Sequence, residues 1–530
     1  MMEVGQQFSW RSRHWTWKSR LLQRRRPSNS RRANGFLQAA VLVEMKKAVC
    51  VIGSGLAGGI VASTLAARGH SVTLLELGDA PAPLHPADEV WDGTEVKTPF
   101  TRGKGMGGTS NFWHGGLTIL DRTDVEGISG HDGRARAPIT YSRLRDYYAQ
   151  AVALVRGATS YSLDNIEAPL DVPVGGFGNK GEAFRLKALL YPDKPFSSRP
   201  LIRHAQKLHG LQVIPNIEIR RLVNSGPRRV SYAEGVDLRS GALKKFPADI
   251  FVLSAGGLGS PKILLRSKGE CPPLGQLPIG KFIIDHPTGF VFKGKLRRRM
   301  DLKPLFGVAR KGYKLRYGFA LNPDRLVDAD SRNHILYLRP ALSMKDPGTY
   351  DFLKRKLVTY RGKSLSPLDA AYLVRHADLL FDAINFKFGL SYSTSYVSGL
   401  VFSEQLPDEN GRMCQLDNGA FSIKWCVSDK DCRSLEKFLA VFFENYSEQF
   451  ESFRIFPGMS TRLDSAGHHS GACRMAMNAS EGVVDADLRI FGTDNLFVAD
   501  GSALAYSGHA NTGLTIAALA LKCSDALADV

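Results

Sequence analysis

Ala48-Val49-Cys50-Val51-Ile52-Gly53-Ser54-Gly55-Leu56-Ala57-Gly58 is a continuous apolar run that opens into a glycine-rich turn. Five apolar residues without alternation suit a strand buried on both faces of a parallel sheet. A helical pattern follows through Arg68, Gly69-His70 breaks it, and a second strand, Val72 to Leu75, ends at Glu76. A lone G-x-G-x-x-G says little. A whole strand, turn, helix, strand unit with an acid 23 residues after Gly53 is the pattern of a dinucleotide-binding fold. Gly53 permits the tight turn, Gly55 lets a pyrophosphate approach the backbone, and Gly58 lets helix and strand pack closely. The helix N-terminus then faces the phosphates. Glu76 is expected to accept hydrogen bonds from ribose hydroxyls and to repel a 2'-phosphate, which favours FAD or NAD over NADP. The competing reading is a tight turn in a doubly wound fold that binds nothing.

Two further stretches carry chemistry. Thr101 to Gly116 reads TRGKGMGGTSNFWHGG, six glycines interleaved with polar and aromatic residues. Such a loop can press its backbone against a flat ligand and donate several N–H groups to it, whereas a plain linker would lack Met106, Phe112 and Trp113. Near the C-terminus, His468-x-x-Gly471 is followed by Asp500-Gly501-Ser502, then Asn511, then an apolar helical run to Leu527. A histidine and an asparagine delivered from two loops could hold and deprotonate an alcohol, since an imidazole titrates near working pH.

The bulk numbers bound these readings. At 530 residues and 43% hydrophobic composition the chain can build two or three lobes with sizeable cores. Its seven cysteines are scattered and include no C-x-x-C, which argues against a disulfide framework or zinc ribbon and for a reducing compartment. No apolar run is long enough for a spanning helix. Part of the formal charge of +19 sits in residues 1–44, where nine Lys/Arg face two acids and no apolar period is sustained. We read that segment as an unstructured basic extension before Met45, where many prokaryotic nucleotide-binding enzymes would begin, and expect a cytoplasmic protein. An Arg- and Ser-rich organelle transit peptide is the runner-up, and a twin-arginine signal at Arg31-Arg32 is weaker. Lys293 to Arg316 holds ten basic residues against Asp301, and Lys354-Arg355-Lys356 follows. A solvated basic face is the default; attraction to an anionic substrate, acidic lipid or acidic electron-transfer partner is the alternative. Nucleic acid is disfavoured, because no binding motif accompanies the charge.

The two glycine-rich segments and the C-terminal stretch, taken together, resemble the glucose-methanol-choline (GMC) oxidoreductase family of FAD enzymes. Three more segments agree in order, Val252 to Pro261, Gly280 to Pro287 with Asp285-His286-Pro287, and Glu404 to Pro407, ahead of Val483 to Ala520 within the C-terminal stretch. The resemblance implies an α/β, Rossmann-like FAD-binding domain in pieces (45–130, 200–290, 455–530) with an inserted antiparallel-sheet substrate domain (131–199, 291–454). Local patterns agree: strands at Leu211 to Pro215, Ile217 to Leu222 and Asp249 to Ser254, a helix at Gly259 to Ser267, alternating strands at Leu315 to Leu321 and Asn333 to Leu338, and a long helical pattern over Leu368 to Leu390.

By the same resemblance the chain oxidises the CH–OH group of an alcohol or sugar, with hydride passing to flavin N5, His468 as base and Asn511 positioning the substrate oxygen. His469 is the alternative base. Cofactor contacts are implied at Gly53, Gly55, Gly58, Glu76, Gly107, Gly108, Ser110, Asn111, Ile219, Ala255, Asp500, Gly501 and Thr512. Phe112 stands where some members carry a histidine bonded to the flavin, so FAD is expected to be non-covalent. Thr512 stands where the family usually has proline and is expected to cap a helix, Gly513 to Ala526. His286 and His114 read as structural, while His509 either lines the cavity or is structural. A flavin-containing lyase of the same fold and a basic anion- or membrane-surface-binding protein are the other readings.

Overall fold

In a computed structural model of the protein, described for residues 46–93, 102–128, 137–168, 174–177, 183–341 and 393–528 with isolated positions at 344, 367, 371 and 374, the first apolar run is the middle of a parallel sheet. The basic extension, the Lys354 cluster and nearly all of the helical pattern Leu368 to Leu390 lie outside the described residues. The sheet has five strands: Ala48–Ile52 is flanked on one side by Ser71–Leu75 and Gln212–Ile214, and on the other by Ile250–Leu253 and Leu496–Val498. Ala48–Ile52 pairs in parallel with Ser71–Leu75 and with Ile250–Leu253, and the last of these with Leu496–Val498. The helix Leu56–Ala67, mostly small and apolar, returns across the sheet with nine of its twelve residues buried. It is the helical crossover that a parallel pair needs.

The fold class read from the sequence holds. A second sheet, eight-stranded and antiparallel in every pairing, is built from Phe184–Pro192, Pro287–Asp301, Val308–Arg310, Tyr313–Leu321, Ile335–Ala341, Ser393–Phe402, Phe450–Ile455 and Asp464–Ser465. Its strands alternate, so it has two distinct faces. One packs edge-on against the helix Asp429–Tyr446, with Phe184 on Phe438, Phe292 on Phe443, and Phe319 on Phe442 and Tyr446. That helix starts at Ser428 with a capping box, Ser428 and Asp431 each accepting from the other's backbone N–H at 3.2 and 2.8 Å. The opposite face carries Leu189, Phe290, Tyr337, Leu400 and Phe456. A Cβ added at Gly116 would lie 3.3 Å from Leu189 Cδ1, 3.2 Å from Tyr191 Cε1 and 3.3 Å from Asn511 Nδ2, so this second face looks toward Asn511.

Two expectations change. Lys293 to Arg316 is not a uniformly solvated basic face: Arg297, Arg298 and Arg299 are exposed, but Lys293 and Arg316 are 1% and 6% exposed and point inward from the sheet. Arg316 spreads over the rings of Tyr191 and Tyr337, 5.5 and 5.8 Å from their centroids, an arrangement in which the aromatic faces help an interior cation. The C-terminal helix runs Thr512–Ala528, so Thr512 is its first residue and Asn511, not Thr512, stands in the capping position. No helix among the described residues is long and apolar enough to cross a membrane.

Candidate active site

Four of the parallel strands end on the same edge of the sheet, the edge where open α/β sheets receive ligands. Ile52 runs into Gly53, Leu75 into Glu76, Leu253 into Ala255-Gly256 and Val498 into Asp500. Gly53 has φ +99°, and a Cβ there would lie 2.4 Å from Ser254 O; at Gly58 it would lie 1.8 Å from Gly53 O. These two glycines serve packing. Gly55 differs: its φ is −61° and a Cβ there would meet no protein atom within 4 Å, while no side chain caps the helix it begins. An uncapped helix N-terminus behind an open glycine fits a pyrophosphate.

The glycine-rich loop closes over this cradle. Gly105, Gly107 and Gly108 all have positive φ, and a Cβ at Gly108 would come within 2.9 Å of Gly55 Cα. Ser110 Oγ donates to Gly107 O at 2.6 Å and accepts from Ser198 N at 3.1 Å; Asn111 donates to Met106 O and Gly108 O and accepts from Ser197 Oγ. Both side chains thus hold the loop in shape. Glu76 is buried, and its carboxylate accepts from Ser54 N and Oγ at 2.9 and 2.6 Å, from Gly78 N at 3.1 Å and from Gly105 N at 2.9 Å. A carboxylate has about four acceptor sites, so the ribose contact expected of Glu76 would come by exchange for one of these donors. Asp500 is used in the same way, by Gly256 N, Ser260 Oγ, Ser502 N and Ser502 Oγ between 2.5 and 2.9 Å. Burial holds its carboxyl above the usual range, against the pull of the two serines. Ala255 donates its N–H to Ser260 Oγ, and Gly501 packs near His469 O. Ile219 is buried in the strand Ile217–Asn224, whose first residue donates its N–H to Glu76 O.

The other end of the same loop reaches Asn511 and the helix that follows it. Trp113 Nε1 donates to Phe196 O at 2.6 Å, and a Cβ at Gly513 would lie 2.2 Å from Trp113 Cζ3, so that glycine lets the loop lie against the first turn of the C-terminal helix. Gly116 sits beside Asn511. Phe112, 41% exposed, packs its ring over Gly103, and His114 is exposed.

His468 and His469 have opposite orientations. His469 is buried, with Nδ1 2.9 Å from Asp285 Oδ2 and its ring 5.7 Å from that of Trp91. His468 is half-buried and turns the other way, with Nδ1 2.9 Å from Nδ1 of His286 and the two rings edge-to-face. His286 in turn reaches Gly508 O at 2.9 Å and Ser507 O at 3.3 Å through Nε2. It therefore joins the His468 loop to the loop that carries Asn511. Asp285 Oδ1 accepts from the backbone N–H of both His286 and His468, at 2.6 and 3.0 Å, and Oδ2 also accepts from Ser465 Oγ at 2.6 Å. Burial would raise this carboxyl, but the His469 hydrogen bond and charge, with His468 and Ser465, outweigh it and hold it well below the carboxylate range. Burial holds the His286 imidazole below its usual value. His509 is buried too; Nδ1 is 3.2 Å from Asn333 O, and burial, with Lys187 nearby, holds it well below the usual range. Asp285, His286 and His468 bring ligand-type atoms within 4.8 Å of one another. Both Asp285 oxygens and both His286 nitrogens are committed to hydrogen bonds, so we read the cluster as a hydrogen-bonded bracket rather than a metal site. From sequence His286 reads as structural and nothing singles out Gly513; the Asp-His-Pro element is the one available signal.

Comparison with known proteins agrees with this architecture. Residues 417–520 match the family model described as GMC oxidoreductase. The chain is 23% identical over 300 residues to 2-methyl-1,2-propanediol dehydrogenase of Mycolicibacterium austroafricanum, covering 55% of this chain and 50% of that one. A second stretch of 63 residues is 41% identical to 6'''-hydroxyparomomycin C oxidase of Streptomyces lividus, 12% of each chain. The matches thus span half or less of the length of these curated relatives. Among solved structures, pyridoxine 4-oxidase from Mesorbium loti superposes with a TM-score of 0.51 at 17% identity, covering 90% of this chain and 98% of that one. A formate oxidase from Aspergillus oryzae RIB40, solved for the effect of a mutation on FAD modification, gives 0.50 at 15% identity, covering 91% and 98%. At such identities the likeness is one of fold.

Proposed function

We propose that this chain, which belongs to the GMC oxidoreductase family, is an FAD-dependent oxidoreductase that acts on the CH–OH group of a small alcohol or sugar. The observation that carries the reading is the course of one loop. Gly108 lies against Gly55 of the dinucleotide cradle, and eight residues later Gly116 lies beside Asn511. A redox cofactor held by the cradle and a substrate oxygen held by Asn511 would therefore share one wall. Non-covalent FAD fits the residues best, with Phe112 rather than a histidine at position 112 of the loop and Gly55 open to a pyrophosphate.

When bound, FAD supplies the acceptor for the hydride that leaves the alcohol carbon. The chain's own part is to bind, orient and move a proton. Asn511 holds the substrate oxygen through its side-chain amide. His468 takes the hydroxyl proton as the carbon–hydrogen bond breaks, a general-base contribution of about 10²–10⁴ in rate. The helix Thr512–Ala528 directs its N-terminal dipole past Asn511 and Gly513, where it would favour negative charge on the reduced cofactor. The buried second face of the antiparallel sheet, with Leu189 and Tyr191 beside Asn511, forms the roof over the substrate.

The test is a turnover screen of alcohols, diols and sugars with an artificial electron acceptor, alongside extraction of the flavin by acid. We expect release of unmodified FAD and turnover of at least one class, with His468→Ala keeping its FAD and losing 10²-fold or more, roughly as general-base removal costs. Unchanged turnover in that variant would remove His468 from the role. No turnover across the panel, with aldehyde released from a cyanohydrin, would favour the lyase reading.

A further inference from the structure

We propose that His286 is a positioning residue that fixes the tautomer of His468, so that the proton-accepting atom offered to the substrate is Nε2. This rests on the reading of His468 as the base. The starting point is a carbonyl oxygen, which can only accept. His286 Nε2 lies 2.9 Å from Gly508 O and 3.3 Å from Ser507 O, so Nε2 must carry a proton. The ring is wholly buried, and burial disfavours its charged form. A neutral imidazole with its proton on Nε2 has a bare lone pair on Nδ1. That atom stands 2.9 Å from His468 Nδ1. Two bare nitrogens at that separation would repel, so His468 Nδ1 carries the hydrogen and donates it. The neutral His468 ring then has its lone pair on Nε2.

The backbone around the pair is built to keep that geometry. Asp285 Oδ1 takes the N–H of both His286 and His468, so a single oxygen sets the spacing of the two residues, 182 positions apart in sequence. Oδ2 is anchored by Ser465 and by His469, the immediate neighbour of His468. The rings meet at 85° with centroids 5.1 Å apart, which aims the His286 lone pair at the edge of its partner. When His468 accepts a proton at Nε2, its Nδ1–H becomes a charge-assisted donor to a neutral acceptor, a stronger bond than before. No proton need leave His286, whose own hydrogen stays on the backbone carbonyls. The arrangement does the work that a carboxylate does behind the histidine of a hydrolase triad, but with an uncharged partner on the Nδ1 side.

The two amide substitutions of His286 separate this role from a packing role. An asparagine oxygen falls where Nδ1 was and still accepts from His468; a glutamine amide reaches the position of Nε2 and puts no acceptor at Nδ1. We expect His286→Gln to keep its flavin and to reduce it about 10²-fold more slowly, with little change in substrate dissociation constant, as expected for misorientation of a catalytic group. His286→Asn should recover most of that loss. In the wild-type holoenzyme labelled with ¹⁵N-histidine, and assigned by difference from His468→Ala, His468 should show a protonated Nδ1 and a bare Nε2. The proposal is overturned if flavin-loaded His286→Gln reduces at the wild-type rate, if His286→Asn is as slow as His286→Gln, or if His468 carries its proton on Nε2. The nitrogen spectrum needs no variant of His286, so it decides the matter even if those variants misfold. Wild-type activity in His468→Ala would overturn the base assignment itself and leave the tautomer measurement standing.

Discussion

Asp285 holds two histidine backbones on one oxygen and a histidine ring on the other. It does so from within the core, beside the His286 imidazole, which burial holds below its usual value as it does that of His509. The sign of the resulting pH dependence is fixed. A histidine whose folded value lies below the ordinary 6.5 binds a proton more readily when unfolded, so it contributes stability above about 6.5 that is lost as pH falls. Asp285, held below the ordinary 3.8, acts in the same direction at lower pH. The thermal midpoint of the holoprotein should therefore drop between pH 7.5 and 5.5, and drop less in His509→Asn. A midpoint that is flat or rises on acidification would contradict this. The residue scale is also where sequence reading falls short. Asp285-His286-Pro287 was visible as a motif, but that His286 meets His468 depends on tertiary convergence across 182 positions, which no local pattern encodes.

Among the elements, the strand, turn and helix at Ala48 to Ala67 were fully legible, because the cues of burial, turn and packing all lie within one short window. The glycines there divide by what a methyl group would meet. Gly55→Ala should leave the melting temperature of the flavin-free protein unchanged and weaken FAD binding strongly, since its Cβ would meet no protein atom within 4 Å. Gly58→Ala should destabilise the protein itself by about 1–3 kcal/mol, the usual cost of overpacking, or prevent folding, because its Cβ would lie 1.8 Å from a backbone oxygen. Calorimetry and flavin titration of the two variants check this, and equal effects on both readouts would undo the distinction. Threonine is a good cap in general, so the sequence favours a C-terminal helix that starts one residue later than the observed Thr512. Here the chain turns at Asn511 instead, which puts the candidate catalytic amide at the head of the helix dipole. The antiparallel strands were recognisable by alternation, but not which face their charges would take. Lys293 and Arg316 alternate like solvent-facing residues and yet lie inside, covered by neighbouring structure and, for Arg316, by two tyrosines.

At the scale of the whole molecule, two sheets meet over one loop. The parallel sheet delivers the turns that suit a dinucleotide at its carboxyl edge, the antiparallel sheet turns a buried face toward Asn511, and residues 103–116 run between them. Oxidation of an alcohol follows only if His468 acts on a substrate beside a cofactor in that cradle. The most direct measurement is anaerobic mixing of the purified holoprotein with an alcohol that it turns over, following the flavin absorbance in a stopped-flow instrument, for wild type and for His468→Ala of equal flavin content. The account predicts rapid bleaching in the wild type and bleaching slowed by 10² or more in the variant, about what loss of a general base costs. Equal rates in the two proteins, or no bleaching of the wild type by any alcohol, would contradict it.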